Sequence, residues 1–98
     1  MNNDLLNKLE SLKRESEASK DRLEDVIISE ESGGGLVLIS MNGNRKIKDL
    51  KITCDISSMD KEELQALICV AFNQVLDKVN LLNEKEVMSS AQSLFTGL

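Results

Sequence analysis

The sequence predicts an α+β fold: an α-β-β-β-α protomer with a three-stranded antiparallel sheet and a long C-terminal helix. Three observations carry that expectation. Apolar and small residues recur in steps of four and three over residues 5–26, β-branched runs bounded by glycine fill 26–54, and a second helical stripe starts at residue 64 behind an acidic cap. The 98 residues are read as one domain, with a first helix at 4–25, the sheet at 26–54, a second helix at 60–88 and a tail at 89–98.

The first helix places Leu5, Leu9, Leu12, Ser16, Ser19, Leu23 and Val26 on one seam. Ser16 and Ser19 sit where a coiled coil wants leucine, so the seam holds weakly there or packs closely against a neighbour. Lys8, Glu10, Lys13, Arg14, Glu15, Glu17, Lys20, Asp21 and Arg22 fill the rest with mixed charge, the pattern of a solvated face.

Val26, Ile27 and Ile28 read as one strand, and the run from Leu36 to Met41 as a second. Asn42-Gly43 follows as a hairpin signal, since a type I′ turn needs positive φ at both central residues. The third strand, over 46–54, changes register between Ile47 and the alternating set Leu50, Ile52 and Cys54, so a bulge is expected near Lys48 and Asp49. Asp60 with Glu63 makes a capping-box pattern, and Met59 and Leu64 flank it as a hydrophobic staple. The stripe Leu64, Leu67, Ile68, Ala71, Phe72, Val75, Leu76, Val79 and Leu82 is wider than one sheet face needs. It predicts a homodimer, with Leu67, Phe72, Leu76 and Val79 as interface residues. Met88, Ala91, Leu94 and Phe95 extend the period, but Ser89, Ser90 and Gly97 interrupt it, so the tail is expected to be helical at first and then frayed.

Composition bounds function. A domain of this size buries only roughly 60 to 65% of its unfolded surface, so a partner subunit would help stability. Phe72 and Phe95 are the only aromatics, and Trp, Tyr, Pro and His are absent, which predicts an aliphatic core. Without histidine the commonest general base and metal ligand is missing, so no enzyme, metal or cofactor is expected. Asp60, Glu62 and Glu63 read as charge complementing the dipole at a helix start. Cys54 and Cys69, fifteen residues apart among apolar neighbours, are expected to be buried free thiols in a reducing cytosol. No stretch approaches the ~18 apolar residues of a membrane span, and the N-terminus is not a signal peptide, which together predict a cytoplasmic protein.

Gly33, Gly34 and Gly35 raise the question of a phosphate cradle. A Walker loop needs Lys-Ser/Thr at the mouth of a helix, and a dinucleotide-binding fingerprint also opens a helix. Here the glycines lead into Leu36, Val37 and Leu38, a strand, so they are read as a hairpin corner.

The segment "ESGGGLVLISMNGNRKIKDLKI" (31–52), followed by "DKEELQALICVAFNQVLDKV" (60–79), resembles the YbaB/EbfC family of bacterial nucleoid-associated proteins. A glycine corner, an NGN turn and an acidic-capped helix with an Ala-Phe-Asn centre occur in that order, and the likeness spans about residues 24–88. The resemblance implies an α-β-β-β-α protomer, a dimer made through the sheet and the long second helix, and projecting helices that engage DNA like tweezers in the nucleoid. The chain departs from the family in its first helix, which lacks Met/Gln-rich character, and in a tail reduced to Phe95-Thr96-Gly97-Leu98. The family brings no catalytic or base-reading residue set.

Seventeen acids and twelve bases leave a net charge of −5, which disfavours nucleic acid if charge is uniform, so distribution matters more than the total. Phosphate contacts by Lys and Arg supply most non-specific affinity. Arg45, Lys46, Lys48 and Lys51 against Asp49 give +3 over seven residues (four bases less one acid) and form the cluster that the residues alone favour. The resemblance favours instead Lys13, Arg14, Lys20 and Arg22 of the first helix, with Lys78 and Lys85 on the second. The two readings disagree. A further alternative is an acidic dimeric protein-interaction module without intrinsic DNA binding. Sequence preference is not expected, since no Arg-dense recognition helix is present.

Overall fold

In this computed structural model residues 2–96 are described, with side chains from 3 to 92. The elements run α1 (Asn2–Glu24), β1 (Ile27–Ser32), β2 (Val37–Asn42), β3 (Ile47–Ile52), a 3₁₀ turn (Ile56–Ser58) and α2 (Lys61–Thr96). This is the expected α-β-β-β-α order, with an antiparallel sheet in the order β1-β2-β3. The molecule is rod-like, 69 × 18 × 16 Å, because a 36-residue helix is far longer than the sheet it crosses.

The core lies between the central strand and α2. Val37, Ile39 and Met41 point from one face of β2 onto Ala71, Val75 and Val79, which recur every four residues along the helix. All six are fully or almost fully buried, and the core is aliphatic as the composition requires. Val79 is therefore a core residue under its own sheet rather than a surface residue free for a dimer interface.

β1 runs four residues past its β-branched start, through Ser29, Glu30, Glu31 and Ser32. Each polar side chain facing a neighbour finds a partner there. Ser29 and Ser40 share a cross-strand hydroxyl hydrogen bond of 2.7 Å, Glu30 pairs with Lys78 of α2, and Ser32 Oγ donates to the Leu67 carbonyl at 2.6 Å. The corner after β1 takes φ of +64°, +68° and +92° at Gly33, Gly34 and Gly35, the left-handed region that side chains disfavour. A Cβ at Gly33 would also meet Leu67 Cδ1 at 2.9 Å.

The β2–β3 hairpin differs from the expected type I′ turn. Arg45, not Asn42 or Gly43, takes the left-handed conformation, at φ +65°. Asn42 N–H donates to the Lys46 carbonyl (2.9 Å), Arg45 N–H to the Asn42 carbonyl (3.1 Å), and Asn42 Oδ1 accepts from the N–H groups of Asn44 (2.9 Å) and Lys46 (3.1 Å). This is a longer loop held by its first asparagine, and side-chain bonding replaces the backbone preference that a two-residue loop would exploit. The expected bulge is present: Ser40 pairs with Asp49 but Met41 with Ile47, leaving Lys48 as the extra residue.

α2 begins where its cap was expected, with the Asp60 carbonyl accepting from Leu64 N–H at 3.0 Å. It continues past the expected boundary at residue 88 to Thr96, so the start of the tail, with Ser89 and Ser90, is helical. Ser90 is held there by a side-chain contact to α1. Gly97 and Leu98 lie outside the described residues, as do the side chains of Leu94 and Phe95. Cys54 is half-buried with its sulfur 3.2 Å from Met59 Sδ, whereas Cys69 is exposed, contrary to the expectation of two buried thiols. Its place on α2 lies off the stripe that meets the sheet. Among the described residues no helix is long and apolar enough to cross a membrane.

Candidate nucleic-acid interface

The NGN turn is the junction that aims α1. Leu23, the one core residue of that helix, is 4% exposed, and its carbonyl accepts the Gly43 N–H at 2.9 Å. Asn44 Nδ2 donates to the Lys20 carbonyl (2.9 Å) and to Glu24 Oε2 (2.7 Å), tying the turn to the C-terminal end of α1. From the other side, Asn83 Nδ2 of α2 donates to the Gly43 carbonyl at 2.7 Å. One tripeptide thus holds both helices. The Asn44 amide is the main cause that draws the Glu24 carboxyl below its ordinary range, with Lys46 adding to it.

Beyond this junction α1 projects with little support. Leu5, Leu6, Leu9 and Leu12 remain about half exposed or more, so the expected seam is buried only at its C-terminal end. Where the helices face each other the contacts are polar, made by Glu15, Ser19 and Arg22 of α1 with Glu86 and Ser90 of α2. A cleft of about 800 Å³ opens beside them, bounded by Leu12, Ser16, Leu23, Asn44, Asn83 and Val87.

The ten basic residues singled out in sequence do not form one patch, and the structure sorts them by partner. On the sheet side Lys46 pairs with Glu24 (3.5 Å) and Lys51 with Asp49 (3.8 Å), while Arg45 Nε donates to Asn80 Oδ1 (2.7 Å). The Lys48 side chain, carried on the bulge, makes no ion pair or hydrogen bond among the described residues, though its charge helps to lower the Glu24 carboxyl. Lys78 is taken by Glu30 and Arg22 by Glu15 and Glu86. Among the described residues Lys13, Lys20 and Lys85 make no ion pair, and Arg14 donates only to Ser11 Oγ (3.3 Å). Lys13 and Lys20 are two turns apart on one side of α1, roughly 10 Å along its axis. Lys8, outside the sequence-based set, is likewise exposed and unpaired; as one more charge on a mixed face it gave no signal of its own.

The apolar surface has its own geometry. Ile47, Leu50 and Ile52 of β3 oppose Met41, Ile39 and Val37, so they point to the side of the sheet that α2 covers. α2 packs across β1 and β2 and leaves β3 open, with Ile47 51% and Leu50 46% exposed. Asn80, held to Arg45 of the hairpin, continues the flank of α2 that carries Phe72 and Leu76. Phe72 and Leu76 are half-buried at the border of the core, and Leu67 packs at the opposite end beside Gly33.

Comparison with known proteins accords with this architecture. The model of the YbaB/EbfC DNA-binding family matches residues 1–94. A nucleoid-associated protein of Flavobacterium johnsoniae is 35% identical over 88 residues, covering 90% of this chain and 82% of that one. A nucleoid-associated protein of Methylococcus capsulatus is 33% identical over 97 residues, covering 96% and 91%. The crystal structure of an uncharacterized protein from Helicobacter pylori superposes with a TM-score of 0.78 at 30% identity, over 87% of this chain and 90% of that one. With the glycine corner, the NGN junction and the helix order in place, a match over nearly the whole length leaves one conclusion: the chain belongs to the YbaB/EbfC DNA-binding family.

Proposed function

We propose that the protein is a nucleoid-associated protein of the bacterial cytoplasm that binds duplex DNA as a homodimer, with little sequence preference, through phosphate contacts from α1. The observation that carries this reading is the pairing pattern: Lys13, Arg14 and Lys20 on the projecting helix have no carboxylate partner, whereas Lys46 and Lys51 of the strand cluster do. A cation already paired must lose that contact before it meets a phosphate, which discounts Lys46 and Lys51 of the strand cluster. Lys48 is left as its one cation whose side chain has neither an ion pair nor a hydrogen bond among the described residues. The family's DNA-binding description and the nucleoid-associated relatives support the same partner.

Self-association is proposed through β3 and the adjoining flank of α2, with Ile47, Leu50, Phe72 and Leu76 covered by a second copy. An exposed apolar face beside a half-buried one on a domain this small favours a partner surface. Two protomers carry twice the charge of −5, so long-range repulsion opposes encounter while local Lys and Arg contacts favour it. Affinity then falls at the weak end of the roughly 10⁻⁴ to 10⁻⁶ M typical of non-specific binding. The test is retention of random duplex by the purified protein across a salt series. Binding that weakens linearly in log–log form supports the reading; no retention at ~50 mM salt favours the protein-interaction module instead.

A further inference from the structure

Arg22 lies in the same projecting helix as the unpaired cations, yet its charge is taken up by its own chain. Glu86 Oε1 of α2 accepts from Arg22 Nε (3.1 Å), from Arg22 Nη2 and from Ser19 Oγ (3.0 Å). Glu15 Oε1 accepts from Arg22 Nη2 (3.1 Å) and from Ser90 Oγ (3.1 Å). Two carboxylates, one from each helix, thus close on one guanidinium, and each also accepts from a serine hydroxyl of the opposite helix. This is unlike the single contacts that Lys46 and Lys51 make, because the planar fork of arginine is engaged at two nitrogens by groups that other bonds hold in place. The Arg22 bonds are the leading cause that lowers the Glu86 carboxyl below its ordinary range. The Arg22 side chain nonetheless keeps 53% of its surface exposed, on the side of α1 away from Lys13 and Lys20, since residues two apart on a helix point in nearly opposite directions.

We infer that Glu86 and Glu15 stand in for phosphate and hold Arg22 out of DNA contact, an autoinhibitory clasp between α1 and α2. The inference rests on the reading of α1 as the DNA-facing element and adds its regulation. Arg22 stays charged throughout; what changes is which oxygens accept its N–H groups. The clasp also replaces apolar packing at the Ser19 position of the seam, so the arm is positioned by the same bonds that mask the cation.

A double-mutant cycle read by binding of random duplex at ~50 mM salt tests this. Arg22→Gln in the wild-type background changes affinity by less than about twofold, because a masked cation contributes no phosphate contact. Glu86→Gln frees Arg22 and tightens binding roughly 5- to 10-fold, steepening the salt slope by about 0.9, and Arg22→Gln in that background removes the gain. Glu84→Gln, an equal change of charge at an exposed position on the same helix, sets how much any lost acid gains. Equal costs of Arg22→Gln in both backgrounds, or a gain from Glu86→Gln no larger than from Glu84→Gln, would overturn the clasp as a regulator. If Glu86→Gln does not fold, Glu15→Gln opens the other half and carries the same expectation. The Arg22 Nε–H resonance gives a readout free of DNA: it should exchange with water more slowly than that of Arg14, and equal rates would contradict the clasp. A protected resonance in a protein that retains no duplex would count against the DNA reading and the autoinhibition together, leaving a structural tie.

Discussion

The Leu23 carbonyl accepts the Gly43 N–H at 2.9 Å, and a Cβ built on Gly43 would fall 2.7 Å from that oxygen and 2.8 Å from Leu23 Cβ. The glycine is required by close approach, since its φ is not positive, and this contact fixes where α1 leaves the body.

Gly43→Ala should therefore destabilise the protein by roughly 1 to 3 kcal/mol through overpacking against backbone that cannot yield. Gly34→Ala meets nothing within 4 Å and bears only the cost of its φ of +68°, about 1 to 2 kcal/mol. Urea unfolding of both variants, with Gly43→Ala also displacing α1, checks the distinction.

Ile39→Ala should cost roughly 2 to 5 kcal/mol, since Ile39 is 2% exposed between β1, β3 and α2, whereas Leu5→Ala should stay within about 0.5 kcal/mol. Equal effects in thermal melts would mean that the apolar half of α1 is buried in solution.

Most of the fold was legible in the sequence, and what was missed follows from long-range contacts. Local spacing exposed the strands, the bulge at Lys48 and the start of α2 at Asp60, because each is decided within a few residues. Ser29 to Ser32 have weak strand propensity and join β1 only because Ser40, Lys78 and Leu67 receive them. The extension of α2 past Ser89 depends likewise on α1, through Ser90 and Glu15. The NGN tripeptide was read as a local turn, yet its glycine answers to Leu23 and its second asparagine to Lys20 and Glu24, twenty or more residues away. For the candidate interface, counting charges favoured the strand cluster because partners such as Glu24 for Lys46 are distant in sequence and invisible to a local sum.

If two protomers meet through β3 as proposed, Leu50→Lys should lower the mass seen in light scattering at micromolar concentration from dimer to monomer, with helix content preserved, since Leu50 is 46% exposed and outside the protomer core. A wild type that is already monomeric would contradict the proposed self-association, and an unchanged dimer mass in the variant would contradict β3 as its interface.

Lowering pH should loosen the arm before the sheet. The Glu86 carboxyl is drawn down chiefly by its Arg22 hydrogen bonds and then by Ser19, so the stabilisation it gives is fully present above the ordinary glutamate value, about 4.3. It is lost as pH falls through the lowered folded-state value. Hydrogen exchange over 11–22 should rise in that acid window in the wild type, and Glu86→Gln should show the raised exchange already at pH 7.

The most direct test of α1 as the DNA-contacting element compares two pairs of charge-neutralising substitutions on binding of random duplex across a salt series. Lys13→Gln with Lys20→Gln should weaken retention strongly and lower the salt slope by roughly 1.8, two phosphate contacts' worth, while Lys46→Gln with Lys51→Gln should leave both nearly unchanged. A loss confined to the strand pair would contradict the account and return the contact surface to β3.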